Sequence, residues 1–307
     1  MMDKRQPLIH TVVAIGIAVV AAFFCYQVRL YFFPGAAGDY SWALFMAEDL
    51  LAGQDPYDFV PSAVLVPYPL PVVIFGFPLL WMPYKFAAAT FFGLSSGFLA
   101  YGILRSDRPW RLLTFLSLPY VYALLFVQWS PLIMATWFFP ILAPTLALVK
   151  PQTALPVALN KLTRNGIILA GAILILSLII YPTWPFRWYA MTRDFEYVIP
   201  VFALPLGPLL LLAALFWRRP EARLLFISAF LPFRGAYDLL PLWLVPQTWP
   251  QMAFLTGIPW IAALIWPKIA FTMLKSPAVV PILLIPSLLA LLWDVAQKKF
   301  PRVTAQG

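Results

Sequence analysis

The chain has 307 residues, of which 63% are hydrophobic and 11% are charged, with a formal net charge of +9 and a mean hydropathy of +0.85. This composition excludes an ordinary soluble domain, in which about 25% of residues are charged. Lys and Arg lie beside hydrophobic segments, which indicates membrane topology and no nucleic-acid partner. One cysteine and one histidine exclude an internal disulfide framework and a clustered zinc site, so we expect no metal centre of that kind.

The apolar segments predict an all-α polytopic membrane protein. They are long enough to cross about 30 Å of hydrocarbon as helices, and they lack the strict alternation of β-barrel strands. We expect about 8–10 membrane segments in a single integral membrane domain over residues 1–307. The 32 prolines interrupt many segments, which is tolerated in a membrane only where helices, water or a cavity satisfy the freed backbone groups. The pattern favours a bundle that lines a cavity.

The first predicted span covers residues 8–33, follows Lys4 and Arg5, and contains Cys25. It is too long for the apolar region of a secretory signal, and it has no clear small-residue cleavage site. We therefore interpret it as a retained membrane helix, and the positive-inside rule places its N-terminus in the cytoplasm.

The following segment, residues 34–65, is less hydrophobic, begins with Pro34 and Gly35, and carries five carboxylates. It forms an acidic outer loop if the first span runs outward. Within this loop, the pattern of residues 41–51 predicts a short amphipathic helix on the membrane surface. Gly53 is expected to end that helix.

Nine further apolar segments follow. If successive spans simply alternate in direction after the first, Arg105, Arg108 and Arg111 lie outside, against the positive-inside rule. One segment between 64 and 104 that enters and leaves the membrane on the same side would remove this conflict. The second half has no such conflict, with an outer loop at 183–199 between basic inner ends. The segments cover approximately residues 64–82, 86–104, 112–127, 129–149, 166–182, 200–217, 222–246, 252–272 and 277–293.

Asp39 is the candidate catalytic residue. It stands between Gly38 and Tyr40 directly after the first span, where a carboxylate could accept a proton from a sugar hydroxyl held at the membrane surface. The alternative is that Asp39 caps the following helix or marks the end of the span.

The sequence around Asp39 resembles the first outer loop of the polyprenol-phosphate-mannose-dependent mannosyltransferases, a branch of the C-type (integral membrane) glycosyltransferase superfamily. The most specific feature is an aspartate, a small helix, and then Gly53-x-Asp55-Pro56-Tyr57. The resemblance covers residues from about 12 to 246, and its later motifs are weaker but occur in the expected order.

Four later positions carry these weaker similarities. Tyr68 begins a Tyr-Pro-Leu-Pro sequence that resembles the family's Tyr-Pro-Pro entry into the second span. Gln128 resembles the glutamine of a Gly-Gln-x-x motif, although Val127 precedes it here. Lys150 begins a Lys-Pro pair like the one at the end of a middle span, and residues 234–238 resemble a later polar loop.

The resemblance implies a C-type glycosyltransferase-like bundle in a bacterial plasma (inner) membrane. Its activity would be transfer of a sugar, mannose or similar, from a polyprenyl-phosphate donor to a lipid or glycan acceptor on the outer face. Asp39 would be the general base or would orient the acceptor hydroxyl. No cofactor is implied, and the need for a divalent metal stays open.

The single phosphate of such a donor needs cations near the interface but no nucleotide-binding domain. Arginines are suited to this task because guanidinium groups pair with phosphate oxygens, but each can instead anchor its helix at the headgroups. Lys150 should face a cavity or a partner, or else mark a cytoplasmic helix end. Trp184 could stack on a sugar ring or belong to an aromatic belt, and Asp194 and Glu196 could add a second acidic element. The candidate substrate-binding residues are Arg29, Tyr40, Tyr68, Gln128, Lys150, Trp184, Arg187, Arg193 and Arg234.

Two other functions remain open at this stage. A non-catalytic membrane subunit could retain the glycosyltransferase scaffold and bind lipid or a membrane-protein partner, and the altered motifs at Tyr68 and Gln128 favour this alternative. A transporter or lipid flippase would explain the proline-broken spans. The chain has no paired inverted halves, and the acidic first loop has no natural place in a transporter.

Overall fold

The computed structural model describes residues 5–33, 37–58, 67–193, 197–268 and 276–299. Every regular element in these ranges is helical, which confirms the all-helical class. Expectations that concern Pro34, Gly35, Asp194 and Glu196 lie outside the described residues.

The described chain is divided into many short helices. The α-helices are α1 (Arg5–Tyr31), α2 (Ser41–Leu51), α3 (Val73–Gly76), α4 (Tyr84–Leu104), α5 (Leu118–Phe126), α6 (Ser130–Ala135), α7 (Ala143–Val149), α8 (Pro151–Asn160), α9 (Arg164–Ile180), α10 (Trp184–Thr192), α11 (Pro220–Phe230), α12 (Trp249–Ile265) and α13 (Ile285–Lys299). The 3-10 helices are Gly38–Tyr40, Leu70–Val72, Phe77–Leu79, Pro109–Leu116, Pro140–Leu142, Pro200–Phe202, Gly207–Phe216 and Ala236–Leu244, and a π-helical segment, Val280–Leu284, precedes α13.

Within the described ranges, three helical stretches are long and apolar enough to cross a membrane unaided: Gln6–Tyr31, Tyr84–Leu104 and Val280–Gln297. These helices are consistent with a membrane protein. Two bent helix pairs raise the number of candidate spans to five if each pair counts as one. This is fewer than the expected number of about 8–10, because proline stands in the first turn of many short helices and divides the apolar segments.

The two bent pairs correct the simple segment assignment. Pro109–Leu116 and α5 meet at 59°, so the predicted span at 112–127 is broken. The α9 and α10 helices meet at 94°. The predicted outer loop at 183–199 is therefore largely the helix α10, with proline in its first turn.

The α1 and α4 helices pack closely because small residues face each other. A Cβ atom on Gly93 would lie 2.7 Å from the Ala22 Cβ, and one on Gly97 would lie 2.8 Å from the Ala18 Cβ. Both distances are shorter than any ordinary Cβ contact. This Gly-x-x-x-Gly pattern lets two helix backbones approach each other, as in many membrane helix pairs.

The helical stretch Leu70–Leu79 removes the sidedness conflict. Its ten described residues span about 15 Å, half the thickness of a hydrocarbon core, so it cannot cross alone. Arg105, at the end of α4, lines one pocket together with Gln6 and His10 from the start of α1. Simple alternation of spans would put Arg105 at the opposite end from the start of α1, and this expectation was wrong, because the two lie at the same end of the bundle.

The α2 helix has the predicted bounds and packs into the protein. It covers Ser41–Leu51 and is followed by Ala52 and then by Gly53, whose φ of +68° is the left-handed conformation expected after a helix end. Six of its residues, from Ser41 to Ala47, are buried. The helix is therefore packed into the protein through its apolar side chains, which contact the rest of the fold.

Candidate functional site

Asp39 is held by a hydrogen bond from another part of the chain. It lies in the short Gly38–Tyr40 helix, and no side chain caps the start of α2. Its Oδ2 atom instead accepts a 2.9 Å hydrogen bond from the Tyr68 hydroxyl. Asp39 is half-buried, so the interpretation as a helix cap is wrong and the carboxylate remains within reach of a ligand.

Gly38 explains how Asp39 reaches this position. Its φ is +61°, which L side chains rarely adopt, and a Cβ atom there would lie 2.5 Å from the Phe126 carbonyl oxygen. Only glycine satisfies both conditions. This close approach holds the Asp39 segment against the C-terminal end of α5, immediately before Gln128.

Tyr68 is fixed from several sides. It is 2% exposed, its carbonyl oxygen accepts a 3.0 Å hydrogen bond from the Tyr57 hydroxyl, and its ring lies 6.0 Å from that of Trp129. A tyrosine whose backbone carbonyl and side-chain hydroxyl are both hydrogen-bonded has little rotational freedom. Tyr68 therefore orients the Asp39 carboxylate.

Lys150 forms a buried ion pair. Its Nζ atom lies 2.7 Å from the Asp238 Oδ1, and the two side chains are 1% and 2% exposed. Lys150 also donates to the Gln128 Oε1 at 2.5 Å, and the Thr153 hydroxyl donates to the Asp238 Oδ1 at 2.8 Å. Lys150 thus faces a buried partner and is not an exposed marker of a helix end.

The ion pair and Asp39 belong to one polar cluster around Tyr68. The Lys150 Nζ lies 5.9 Å from the centroid of the Tyr68 ring and 5.0 Å from that of Tyr237. The Arg234 Cζ lies 6.0 Å from the Tyr68 ring, and its backbone N–H donates to the Asp238 Oδ2 at 3.0 Å. We call this group the polar cluster, and its members are Asp39, Tyr68, Gln128, Lys150, Arg234, Tyr237 and Asp238.

Exposure divides the polar cluster into two parts. Asp39, Arg234 and Tyr237 are half-buried, whereas the other four members are buried. The half-buried members can meet a substrate, and the buried members hold them in place. Arg234 interacts electrostatically with Asp39 and with Asp238.

Arg29 lies beside the C-terminal end of α5, against which the Asp39 segment also packs. It is 2% exposed, donates to the Leu125 carbonyl, and its Cζ lies 4.5 Å from the Phe33 ring centroid. It also interacts electrostatically with Asp39. Asp39 is therefore a carboxylate near two arginines that come from distant parts of the chain.

Gln128 begins a run of three residues with unused hydrogen-bonding atoms. Gln128 Nε2, Trp129 Nε1 and Ser130 Oγ have no partner within the described residues, and all three residues are 0% exposed. Burying such groups without a partner costs roughly 1–3 kcal/mol each. This segment can therefore bind water or polar ligand atoms beside the ion pair.

Arg187 lies at the outer edge of the site, where it forms an ion pair with Asp55 and not with Asp39. Its Nη2 atom lies 2.5 Å from the Asp55 Oδ2. Partial burial raises the pKa of the Asp55 carboxyl, but hydrogen bonds from the Tyr57 N–H and the Tyr181 hydroxyl, together with the Arg187 guanidinium, outweigh it and lower the pKa. This pairing joins α10 to the first loop, and Tyr57 continues the connection to Tyr68.

The remaining sequence candidates have other contacts. The Tyr40 hydroxyl donates to the Phe75 carbonyl at 2.6 Å, in a residue that is 0% exposed. Trp184 is 6% exposed, and its Nε1 donates to the Ser177 Oγ at 3.2 Å. These contacts turn both side chains into the packed interior, while Arg193 lies exposed at the end of α10.

Three residues of the site were not among the candidates: Trp129, Tyr237 and Asp238. The resemblance of residues 234–238 to a polar loop pointed to Tyr237 and Asp238, but within this segment only Arg234 is a predicted substrate-binding residue. Trp129 carries no signal beyond its position after Gln128, because tryptophan is also common in apolar cores.

Among the described residues, no group of three or more His, Cys, Asp or Glu side chains could hold a metal ion. Comparisons with models of protein families, with curated proteins and with solved structures gave no match to this chain.

Proposed function

We propose that the chain is a membrane glycosyltransferase with a C-type-like fold. It would transfer a sugar, mannose or similar, from a polyprenyl-phosphate donor to a lipid or glycan acceptor. The observation that carries the proposal is the environment of Asp39, a half-buried carboxylate that Tyr68 orients. Arg234 lies against the same Tyr68 ring, and Arg29 contacts the end of α5 against which the Asp39 segment packs. A base beside two cations suits a reaction in which a hydroxyl attacks and a phosphate leaves.

In the proposed reaction, the acceptor hydroxyl oxygen bonds to the anomeric carbon of the sugar and its proton passes to Asp39. The bond between the anomeric carbon and the phosphate oxygen breaks, and the electron pair leaves with the polyprenyl phosphate. Arg234 stabilises the negative charge that forms on this leaving group, since a guanidinium pairs well with phosphate oxygens. Arg29, at the nearby end of α5, adds positive charge to the same region.

The buried ion pair has a supporting role in this proposal. Asp238 accepts the Arg234 backbone N–H and is itself held by Lys150 and Thr153. The Arg234 segment is therefore fixed before the donor binds, which lowers the cost of organising the site. Because Asp238 already compensates the charge of Lys150, we assign to Lys150 the positioning of Arg234 and not direct contact with phosphate.

The position of Asp39 along α1 supports a site on the outer face. Asp39 follows the C-terminal end of this helix, whereas Arg5 stands at its start. If the basic end lies in the cytoplasm, as the positive-inside rule favours, the polar cluster opens toward the opposite side. We propose a multi-pass protein of a bacterial plasma membrane with this orientation.

The test is transfer of labelled sugar from polyprenyl-phosphate-mannose to lipids in membranes that contain the wild-type chain, Asp39→Asn or Asp58→Asn. Asp58 is an exposed carboxylate of the same loop, so its substitution is the matched control. Removing a general base should lower transfer by roughly 10²–10⁴-fold, while Asp58→Asn keeps the wild-type rate.

Equal transfer by wild type and Asp39→Asn would contradict the role of Asp39. No transfer by wild type from any of several lipid-phosphate sugars would contradict the enzymatic function. That second result would favour a non-catalytic subunit that keeps the scaffold and binds lipid or a membrane protein.

A further inference from the structure

A polar pocket of about 620 Å³ lies at the end of the bundle opposite to Asp39. Gln6 and His10 line it from the start of α1, and Arg105, Ser106 and Asp107 line it from the segment after α4. The pocket therefore combines a guanidinium group, a carboxylate and several neutral hydrogen-bonding groups.

An apolar groove of about 560 Å³ continues from this pocket along α1. His10 in the pocket and Val13 in the groove are one helical turn apart on the same face of α1. On the opposite wall, Pro109 in the pocket and Leu112 in the groove belong to the same 3-10 helix. The polar pocket and the apolar groove thus lie end to end along the same two elements, and we call them together the elongated site.

The length of the groove fits one half of a bilayer. It extends on α1 from Val13 to Phe24, which is about 17 Å of helix and close to half of the roughly 30 Å hydrocarbon core. Its walls are open to the surroundings, since Val20 and Phe24 are each 54% exposed. An acyl chain of a single leaflet fills such a groove from headgroup level to about mid-membrane.

We propose that this elongated site binds a phospholipid with a phosphoethanolamine headgroup, in the leaflet at the N-terminal end of α1. The Arg105 guanidinium and the His10 ring meet the lipid phosphate, and the Asp107 carboxylate meets the primary ammonium. One acyl chain lies in the groove and the other remains in the bilayer. Arg105 is oriented for this contact by Tyr101, whose ring centroid lies 5.6 Å from its Cζ.

The charges in the pocket favour this headgroup over two others. An anionic headgroup without an ammonium group would gain from Arg105 but would be repelled by Asp107. A choline headgroup carries a quaternary ammonium, which cannot donate a hydrogen bond to the Asp107 carboxylate. A primary ammonium satisfies the carboxylate while the phosphate satisfies the cations.

This site is separate from the proposed catalytic site. His10 and Arg29 lie about 28 Å apart along α1, near its two ends, so one headgroup cannot contact both. The bound phospholipid is therefore a structural ligand of the α1 region and not the sugar donor.

The test measures lipid retention by native mass spectrometry. Purified protein in detergent is mixed with equal amounts of phosphatidylethanolamine, phosphatidylcholine and phosphatidylglycerol. Gly16 lines the groove, and a Cβ atom there meets nothing within 4 Å, so Gly16→Phe fills the groove without a clash. Gly171 on α9 has equally open surroundings and lies outside the groove, so Gly171→Phe is the matched control.

Wild type and Gly171→Phe should retain phosphatidylethanolamine in preference to the other two lipids. Gly16→Phe should lower this retention about tenfold or more, which is the affinity lost when roughly two methylene groups of the acyl chain are no longer buried in the groove. Asp107→Asn should reduce the preference over phosphatidylcholine by roughly twofold to fivefold, the range of an exposed ion pair. Equal thermal unfolding of the variants in detergent verifies that each is folded.

Two results would overturn the proposal. If a folded Gly16→Phe variant retains lipid like the wild type, the groove is not the binding site. If the wild type shows no preference for phosphatidylethanolamine, or one that Asp107→Asn leaves unchanged, the pocket does not recognise this headgroup. Sugar transfer plays no part in the measurement, so its outcome is independent of the proposed enzymatic function.

Discussion

Substitution of Asp238 should destabilise the fold strongly. Its Oδ1 atom lies 2.7 Å from the Lys150 Nζ, in side chains that are 2% and 1% exposed. At an effective dielectric constant of about 20, two unit charges at this distance attract each other by roughly 6 kcal/mol. Asp238→Asn keeps the shape but leaves a buried ammonium group without its counter-charge, so we expect a loss of about 3–5 kcal/mol.

The double variant Lys150→Met with Asp238→Asn isolates the electrostatic contribution. It removes the attraction, but it also removes the cost of burying two charges, and these opposing effects are of similar size. The double variant should therefore be more stable than the Asp238→Asn single variant. We expect a coupling energy on the order of 3 kcal/mol between the two positions, at the upper end of the range for residues in contact.

Reversible unfolding in mixed detergent micelles, followed by tryptophan fluorescence and circular dichroism, measures these free energies for the wild type, both single variants and the double variant. Arg223→Gln, a half-buried cation that is hydrogen-bonded to Asn160, serves as a control for loss of a single positive charge. The reasoning fails if each single variant costs less than about 1 kcal/mol and the two effects simply add.

Three further outcomes are expected. Gly97→Leu should destabilise the α1–α4 contact by roughly 1–3 kcal/mol, because its Cβ has no room; an unchanged melting temperature in detergent would contradict the close packing. Tyr68→Phe should lower sugar transfer by tenfold or more, because Asp39 loses the group that orients it, and should lower the free energy of unfolding by no more than about 1.5–3 kcal/mol, the contribution of a hydrogen bond to a charged group; full activity would exclude its orienting role. Asp55 has a lowered pKa in the fold, so its pairing with Arg187 is complete at neutral pH and is lost as the pH falls below about 4. Because this pair is partly exposed, Asp55→Asn should cost no more than roughly 1 kcal/mol at pH 7, and this cost should shrink progressively as the pH falls below about 4; a cost that does not depend on pH would contradict the pairing.

Local signals predicted α2 well. The spacing of its apolar residues and the glycine after it are properties of the helix itself, and the structure has the expected bounds. The packing of α2 against the rest of the fold was not predicted, because an apolar face looks the same in sequence whether it contacts lipid or protein. The breaks inside the apolar segments were predicted only in general terms: the 32 prolines indicate interruptions, but hydropathy does not reveal how sharply a segment bends, as between Pro109–Leu116 and α5.

The candidate site was predicted in part. Asp39, Lys150 and Arg234 were selected as separate signals, and the structure joins them around Tyr68. The partner of Lys150 was not predicted, because pairing between distant residues is a property of the fold. A stronger inference was available, since a buried lysine needs a carboxylate and only three carboxylates, among them Asp238, follow residue 200.

The long separation of the buried partners affects how the protein is made. Thr153 and Asp238, which are hydrogen-bonded in the fold, are 85 residues apart in the chain. At a synthesis rate of roughly 5–20 residues per second, the ribosome needs about 4–17 seconds to pass from one to the other. During that interval the nascent Lys150 ammonium has no counter-charge and must stay near water, headgroups or an insertion factor. The segment around Lys150 can therefore reach its final packing only after Asp238 has been made.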